Sequence, residues 1–517
     1  MNTRNAYTMR ARRNAQAVAP VGLAVAPRAT ESAGESGRIF KHPACRTLPT
    51  RFCRHPLTDG YTNARLAHCE DAVKGLFDHI EPTLKRLAGL PVSEGYLAEA
   101  QRLVRQELGF ELPTPLLDSA WVKGPDMRAL YAHCAFSALK ASAARFVDDL
   151  NRQEEKVQDT RNFFLDCGFH AVDVSPCADG RLKGLSRYIL RLPLSSFTRI
   201  KAYAGALFDV ETDVRHWGET ELRRFREGVP TTVDAGTRYL KIAVYHTSSG
   251  DAVHEGCAAH GSNERKAIDA ALERLQQFRQ AIENAFCCGA STDILLIGVD
   301  TDTDAVRIHV PDAKGDLSAH RYVDNAEVYR STLDLNADAA RLAVYEAIRL
   351  ASEVQGWGAG EGEPHEGMRR LIANLLINNL SQIEYVADVY GGRYPDIGHA
   401  ERFISVGDGF EEVQMRNVAY YAHLQTLEEG VADMDVGIRI FRGLNVKRGL
   451  PVPVAIHYRY DARVPGSRDR SIAKAKRVRD AIVRRYADLD RQGLLYCHLS
   501  VRDLPTGSVI ETVEEGL

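Results

Sequence analysis

Cys177, Asp179 and Arg181 stand at alternate positions in the stretch DVSPCADGR, a thiol, a carboxylate and a guanidinium each two residues apart. Two further residues suit the same chemistry. His246 ends the apolar run TRYLKIAVYH, and Cys257 lies just before a helix that Asn263 would cap. Zinc takes thiolate and imidazole ligands, and a catalytic zinc site keeps one position open. Strand ends on one edge of a parallel sheet converge, and ligands bind at such C-terminal edges. Cys177, His246 and Cys257 are therefore a candidate Cys2His set. Spacing alone is weak support, because a lone cysteine is usually a buried small hydrophobe. Three candidates at predicted element ends, with Asp179 and Arg181 attached, add weight.

The elements that must position these residues are legible around them. FFLDCGFHAVDVSP, TRYLKIAVYH and DILLIGVDTDTDAVRIHV are rich in Val, Ile, Leu and Tyr and read as strands. Between the last two, NERKAIDAALERLQQFRQAIENAF places Ile268, Leu272, Leu275, Phe278, Ile282 and Phe286 on one helix face. Strands alternating with helices predict an α/β domain with a largely parallel sheet.

The pattern then repeats. LPVPVAIHYRYDARVPGSRDRSIAKAKRVRDAIVRRY echoes YLKIAVYHTSSGDAVHEGCAAHGSNERKAIDAALERLQQF: apolar strand, His, polar loop, Gly-Ser-x-x-Arg, long helix. Residues from about 400 thus read as a diverged copy of the α/β unit, with a shorter loop that lacks the cysteine. Upstream, Leu66, Cys69, Val73, Leu76, Phe77, Ile80, Leu84 and Leu87 recur at helical steps. The expected organisation is a basic disordered tail over 1–40, a helical domain over 41–152, a catalytic domain over 153–398 and the pseudo-repeat over 399–517.

At 517 residues the chain is too long for one ordinary core. Its net charge of −3 gives no electrostatic footprint for nucleic acid, and no apolar run approaches a membrane span. Ten irregularly placed cysteines are not a disulfide framework and point to a reducing compartment. Residues 1–40 carry six Arg against two Glu among Ala, Pro, Ser, Gly and Thr. Such a segment buries too little to fold alone and suits a recognition arm for an acidic partner.

Cys177-x-Asp179-x-Arg181, followed by a strand-terminal His and a later Cys, resembles the beta-class carbonic anhydrases. Across FFLDCGFHAVDVSPCADGRLKGL, TRYLKIAVYHTSS, ILLIGVDTDTDAVRIHVPD and GGRYPDIGHAERFISVGDGF, the chain resembles their divergent carboxysomal shell branch. The resemblance implies a helical domain, a catalytic domain and a C-terminal copy without metal. It implies one Zn2+ per chain on Cys177, His246 and Cys257. Zinc-bound hydroxide would attack CO2, with Asp179 orienting it and Arg181 holding Asp179 ionised. It also implies residence in the carboxysome, a homodimer or higher oligomer, and contact with Rubisco or with scaffold or shell proteins through the basic tail. A sugar-phosphate effector at basic helix ends and a proton shuttle at His399 are further expectations. The rival reading is a non-catalytic carboxysome component that kept the fold.

One feature departs from the beta-class pattern, which is His-x-x-Cys. His254-x-x-Cys257 matches that spacing, whereas His246 matches the strand-end position. The expected ligand is His246, with His254 as the alternative. Other signals read as structural. VDTDTDA lacks the Gly and Glu of a calcium loop and suits a hairpin turn. His42, Cys45, Cys53 and His55 fit no common finger spacing, and the vicinal Cys287-Cys288 pair ends an amphipathic helix.

Overall fold

The structure is a computed structural model. It describes residues 52, 54–118, 125–151, 163–192, 199–228, 237–286, 292–354, 361–395, 401–408, 418–422, 427–503 and 509–515. The basic tail, His42, Cys45, Cys53, the Cys287-Cys288 pair and His399 lie outside the described residues. The described residues gather in two compact units, one of residues 52–65 and 163–394, the other of 66–151 and 395–515.

The first unit is built on a six-stranded sheet. Its strands are β1 (Phe169–Pro176), β2 (Arg199–Ile200), β3 (Arg238–Thr247), β4 (Thr292–Asp300), β5 (Val306–His309) and β6 (Tyr322–Asp324), in the order β2-β1-β3-β4-β5-β6. The pairs β1·β2, β1·β3 and β3·β4 are parallel, while β4·β5 and β5·β6 are antiparallel. The parallel strands are buried almost throughout, as strands covered on both faces must be. The helix Glu264–Phe286 makes the crossover from β3 to β4 and buries Ile268, Leu275, Phe278 and Ile282 against the sheet. VDTDTDA is the turn between β4 and β5, with Asp304 in the left-handed region at φ 57°.

Two charges inside those apolar strands align them. Asp173 on β1 is the register partner of Lys241 on β3, and both are fully buried. Lys241 Nζ donates to Asp173 Oδ2 at 3.0 Å, Asp213 Oδ2 at 2.6 Å and Ser175 Oγ at 2.8 Å. Arg199 on β2 donates to the same two carboxylates. Two cations thus face two anions, with only Arg199 partly exposed, and the β1–β3 register is specified by charge as well as by pleat.

In the second unit the strands are β7 (Phe403–Gly407), β8 (Ala419–Ala422), β9 (Val452–Tyr460), β10 (Leu495–Asp503) and β11 (Glu511–Glu515), in the order β11-β10-β9-β7-β8. Read as β8-β7-β9-β10-β11, this is the order of β2-β1-β3-β4-β5. The pairing senses also match: three parallel pairs, then an antiparallel edge. The helix Ser467–Arg485 connects β9 to β10 as Glu264–Phe286 connects β3 to β4. The helices Gly60–Ala88, Tyr96–Leu108 and Met127–Asn151 share one core with this second sheet, where Phe77 stacks on Phe403 at 5.8 Å.

Candidate metal centre

The two strand ends and one loop of the first unit bring the candidate ligands to one point. β1 stops at Pro176, and Cys177 N donates to Val244 O at 2.8 Å, so the residue after β1 is still tied to β3. His246 is the penultimate residue of β3, paired with Val299 of β4 and buried. Cys257 precedes the short turn of helix Ala258–His260 and is also buried. One ligand atom from each of Cys177, His246 and Cys257 lies within 4.8 Å of the others. His254 is not in this cluster. Its side chain is 78% exposed and its ring binds Asp251.

The donor set fits zinc. The two Sγ atoms are 3.8 Å apart. A tetrahedral zinc with Zn–S bonds of about 2.3 Å separates its sulfurs by about 3.8 Å. Neither ring nitrogen of buried His246 makes a hydrogen bond, although Nε2 lies 3.2 Å from Asp179 Oδ2. A buried imidazole with both nitrogens unbonded, beside two buried thiols, suits a ligand set. The two thiols differ in character. The hydrogen bond from Cys177 is the largest cause holding the Cys257 thiol down at about 7, and the backbone N–H groups of Ala259 and His260 add to it. The same bond, then burial, pushes Cys177 well up.

Asp179 and Arg181 form the flank of the cluster. Asp179 caps the short helix Gly180–Gly184 by accepting from Arg181 N at 2.8 Å. The Arg181 guanidinium closes a bidentate pair, Nε to Oδ1 at 3.0 Å and Nη2 to Oδ2 at 2.9 Å. Burial pushes the Asp179 carboxyl up, but Arg181 and then His246 outweigh it and hold the group well below the usual carboxylate range. Burial likewise pushes His246 down, and the charge of Asp179 and the Cys177 sulfur overcome it and raise the imidazole.

The loop between His246 and Cys257 contributes parts that residue types and spacing did not announce. Arg181 Nη2 donates to the carbonyl of Glu255 at 2.8 Å, which ties the Asp–Arg pair to the Cys257 loop. At the other end of the loop, Ser249 binds Asp300, and Ser248 Oγ and Gly250 N bind Asp302. Two carboxylates of VDTDTDA are spent on this bracing. A third, Asp304, accepts from Gln382 and Tyr394. A cleft of about 440 Å³ reaches His246 and Cys257 from the β3–β4 side, between Thr247, Ser249, Thr303 and Arg307.

The other metal signals are absorbed differently. His55 uses both ring nitrogens, Nε2 to Thr332 Oγ1 at 2.8 Å and Nδ1 from Leu57 N at 3.1 Å. In the second sheet, His457 of β9 binds Ser500 Oγ at 2.9 Å, and burial holds it down at about 3, a neutral ring. Asp408, after β7, accepts from Arg459 N, and Val406 stands where a ligating thiol would be needed. Among the described residues, Cys177, His246 and Cys257 are the one group arranged to hold a metal.

The family model for the catalytic domain of carboxysome shell carbonic anhydrase matches residues 159–399, with its N-terminal and C-terminal companions matching 55–147 and 400–517. The carboxysome shell carbonic anhydrase of Halothiobacillus neapolitanus (strain ATCC 23641 / c2) is 57% identical over 475 residues, 92% of each chain. That of Parasynechococcus marenigrum (strain WH8102) is 49% identical over 461 residues, 88% of this chain and 78% of its own.

Proposed function

Because the chain belongs to the carboxysome shell carbonic anhydrases, we propose that it interconverts CO2 and bicarbonate in the carboxysome at a zinc ion held by Cys177, His246 and Cys257. The observation that carries the reading is the meeting of those three donors beside the bidentate Asp179–Arg181 pair. When bound, zinc supplies a Lewis acid that makes a water molecule acidic enough to yield a nucleophile near neutral pH.

The chain's own residues set the direction of attack. Asp179 accepts three hydrogen bonds from Arg181, two on Oδ1 and one on Oδ2. A carboxylate has about four acceptor positions. The remaining one is on Oδ2, the atom that lies 3.2 Å from His246 Nε2 and so faces the donor cluster. Arg181 keeps Asp179 ionised, so Asp179 can accept a proton contact and cannot donate one. A nucleophilic water or hydroxide beside it must turn its hydrogen to Oδ2 and its lone pair to CO2. Arg181 in turn is held by the Glu255 carbonyl, which fixes the pair relative to Cys257.

Asp179→Asn tests this role. The amide presents a donor where only an acceptor serves. The variant should keep its zinc and lose about 10²-fold or more in kcat/KM, ~3 kcal/mol of transition-state stabilisation. Parent-like rates at neutral pH with full zinc would remove Asp179 from the mechanism.

Recruitment is assigned to the basic tail. Its six Arg against two Glu suit an acidic surface on Rubisco or on a carboxysome scaffold protein, bound in a salt-sensitive way. Deleting residues 1–38 should leave CO2 hydration intact and weaken co-sedimentation with that partner. Normal packaging of the truncated enzyme into carboxysomes would move recruitment to the folded units.

A further inference from the structure

We propose that His254 carries the proton released by CO2 hydration from the metal centre to solvent. The inference rests on reading the Cys177–His246–Cys257 cluster as the seat of that reaction. Each hydration forms one bicarbonate and frees one proton. A buried centre must pass that proton to buffer through a group that takes and returns it near neutrality. Imidazole is the side chain whose ordinary charge change falls between about pH 5 and 8.

Five of the described histidines of the first unit differ in what their nitrogens do. His55 and His309 are buried with both nitrogens hydrogen-bonded. His365 binds Asp293 and Met368 N. His260 is half-buried, and its Nε2 donates to the Gly205 carbonyl at 3.1 Å. His254 is exposed, and one carboxylate orients it. Its backbone N–H and its Nδ1 both reach Asp251 Oδ1, at 3.0 and 2.9 Å. Asp251 is held below the usual carboxylate range, first by that backbone N–H, and stays an acceptor. The proton of the neutral ring therefore sits on Nδ1, and Nε2 offers its lone pair to water.

Position supports the role. His254 is three residues before Cys257, so their α-carbons are at most about 11 Å apart. The next residue, Glu255, gives its carbonyl to Arg181, which grips Asp179. The loop is braced, with Ser248, Ser249 and Gly250 on Asp300 and Asp302, and Glu255 N on Asp251 O at 2.9 Å. A proton leaving the site through water enters at Nε2, gives an imidazolium whose charge faces Asp251, and departs from Nε2 to a buffer base. No electrons move. Asp251 is the charged group against the ring.

The test is stopped-flow CO2 hydration by the full-length, zinc-loaded protein in weak and strong buffer. His254→Gln should lower kcat at least about tenfold in weak buffer while kcat/KM is unchanged. Imidazole should restore kcat in a saturable way, and zinc content should equal the parent's. His365→Gln should leave kcat in place. A joint fall of kcat and kcat/KM without imidazole rescue overturns the proposal, as does parent-like kcat in weak buffer or a rescued loss in His365→Gln instead. A parent protein that holds zinc and does not hydrate CO2 overturns this inference together with the reading it rests on.

Discussion

Cys257→Ala is expected to take the zinc content of the protein from one ion per chain to essentially none, and CO2 hydration with it. Cys257 is one of two buried sulfurs 3.8 Å apart. Alanine leaves Cys177 and His246, a pair of donors too few for tight binding. The rate should fall by at least about 10³-fold, ~4 kcal/mol on the barrier. His246→Ala should behave in the same way, while His254→Gln should retain metal. That contrast separates the strand-end histidine from the one that matches the beta-class spacing. Cobalt(II) loading gives an independent readout, because the thiolate-to-cobalt absorption should weaken in Cys257→Ala. Full zinc occupancy in either ligand variant would show that the ligand set is wrong. Two zinc ions per parent chain would show that the second sheet also binds metal.

A comparable loss, in stability, is expected at Lys241. Its ammonium is fully buried, bound to Asp173, Asp213 and Ser175, and lies 4.4 Å from the centre of the Phe208 ring. Lys241→Met keeps most of the volume and removes the charge. Two buried carboxylates are then left with the Arg199 cation and the Tyr239 and Tyr203 hydroxyls. Breaking one member of a buried ion network costs about 3–5 kcal/mol, because the partner charge stays buried and uncompensated. A fall in thermal midpoint with that loss should appear in the isolated protein. Lys241→Met combined with Asp213→Asn restores the charge balance and should recover part of it. Zinc affinity should weaken as well, since Asp173 and Lys241 align the strands that end near Cys177 and His246. A single variant with the parent's midpoint would mean that the network carries no stability.

Local chemistry wrote much of this protein in one dimension. The Ile268–Ile282 stripe, the apolar runs around Val244 and Ile297, and the Asp-Gly turn after Cys177 follow from side-chain periodicity and turn preference, which neighbours along the chain decide. The second α/β unit was legible for the same reason, as a repeated order of strand, His, loop and helix. Cys177, Asp179 and Arg181 could be paired on paper because two residues of chain keep them within reach of one another.

The contacts between distant residues were not legible. Cys177 and Cys257 are 80 residues apart, and whether they meet depends on the β1–β3 register and on a loop braced by Asp300 and Asp302. Those aspartates read as a turn, and only the fold spends them on Ser248, Ser249 and Gly250. Spacing left His246 and His254 both open. The strand buries one imidazole among the sulfurs, and the loop turns the other outward onto Asp251. Asp173 and Lys241 look out of place in apolar runs until the parallel register sets them side by side. The sharing of one core by the helical segment and the second sheet is likewise a tertiary fact, because an apolar helix face states that it must be covered and not by what.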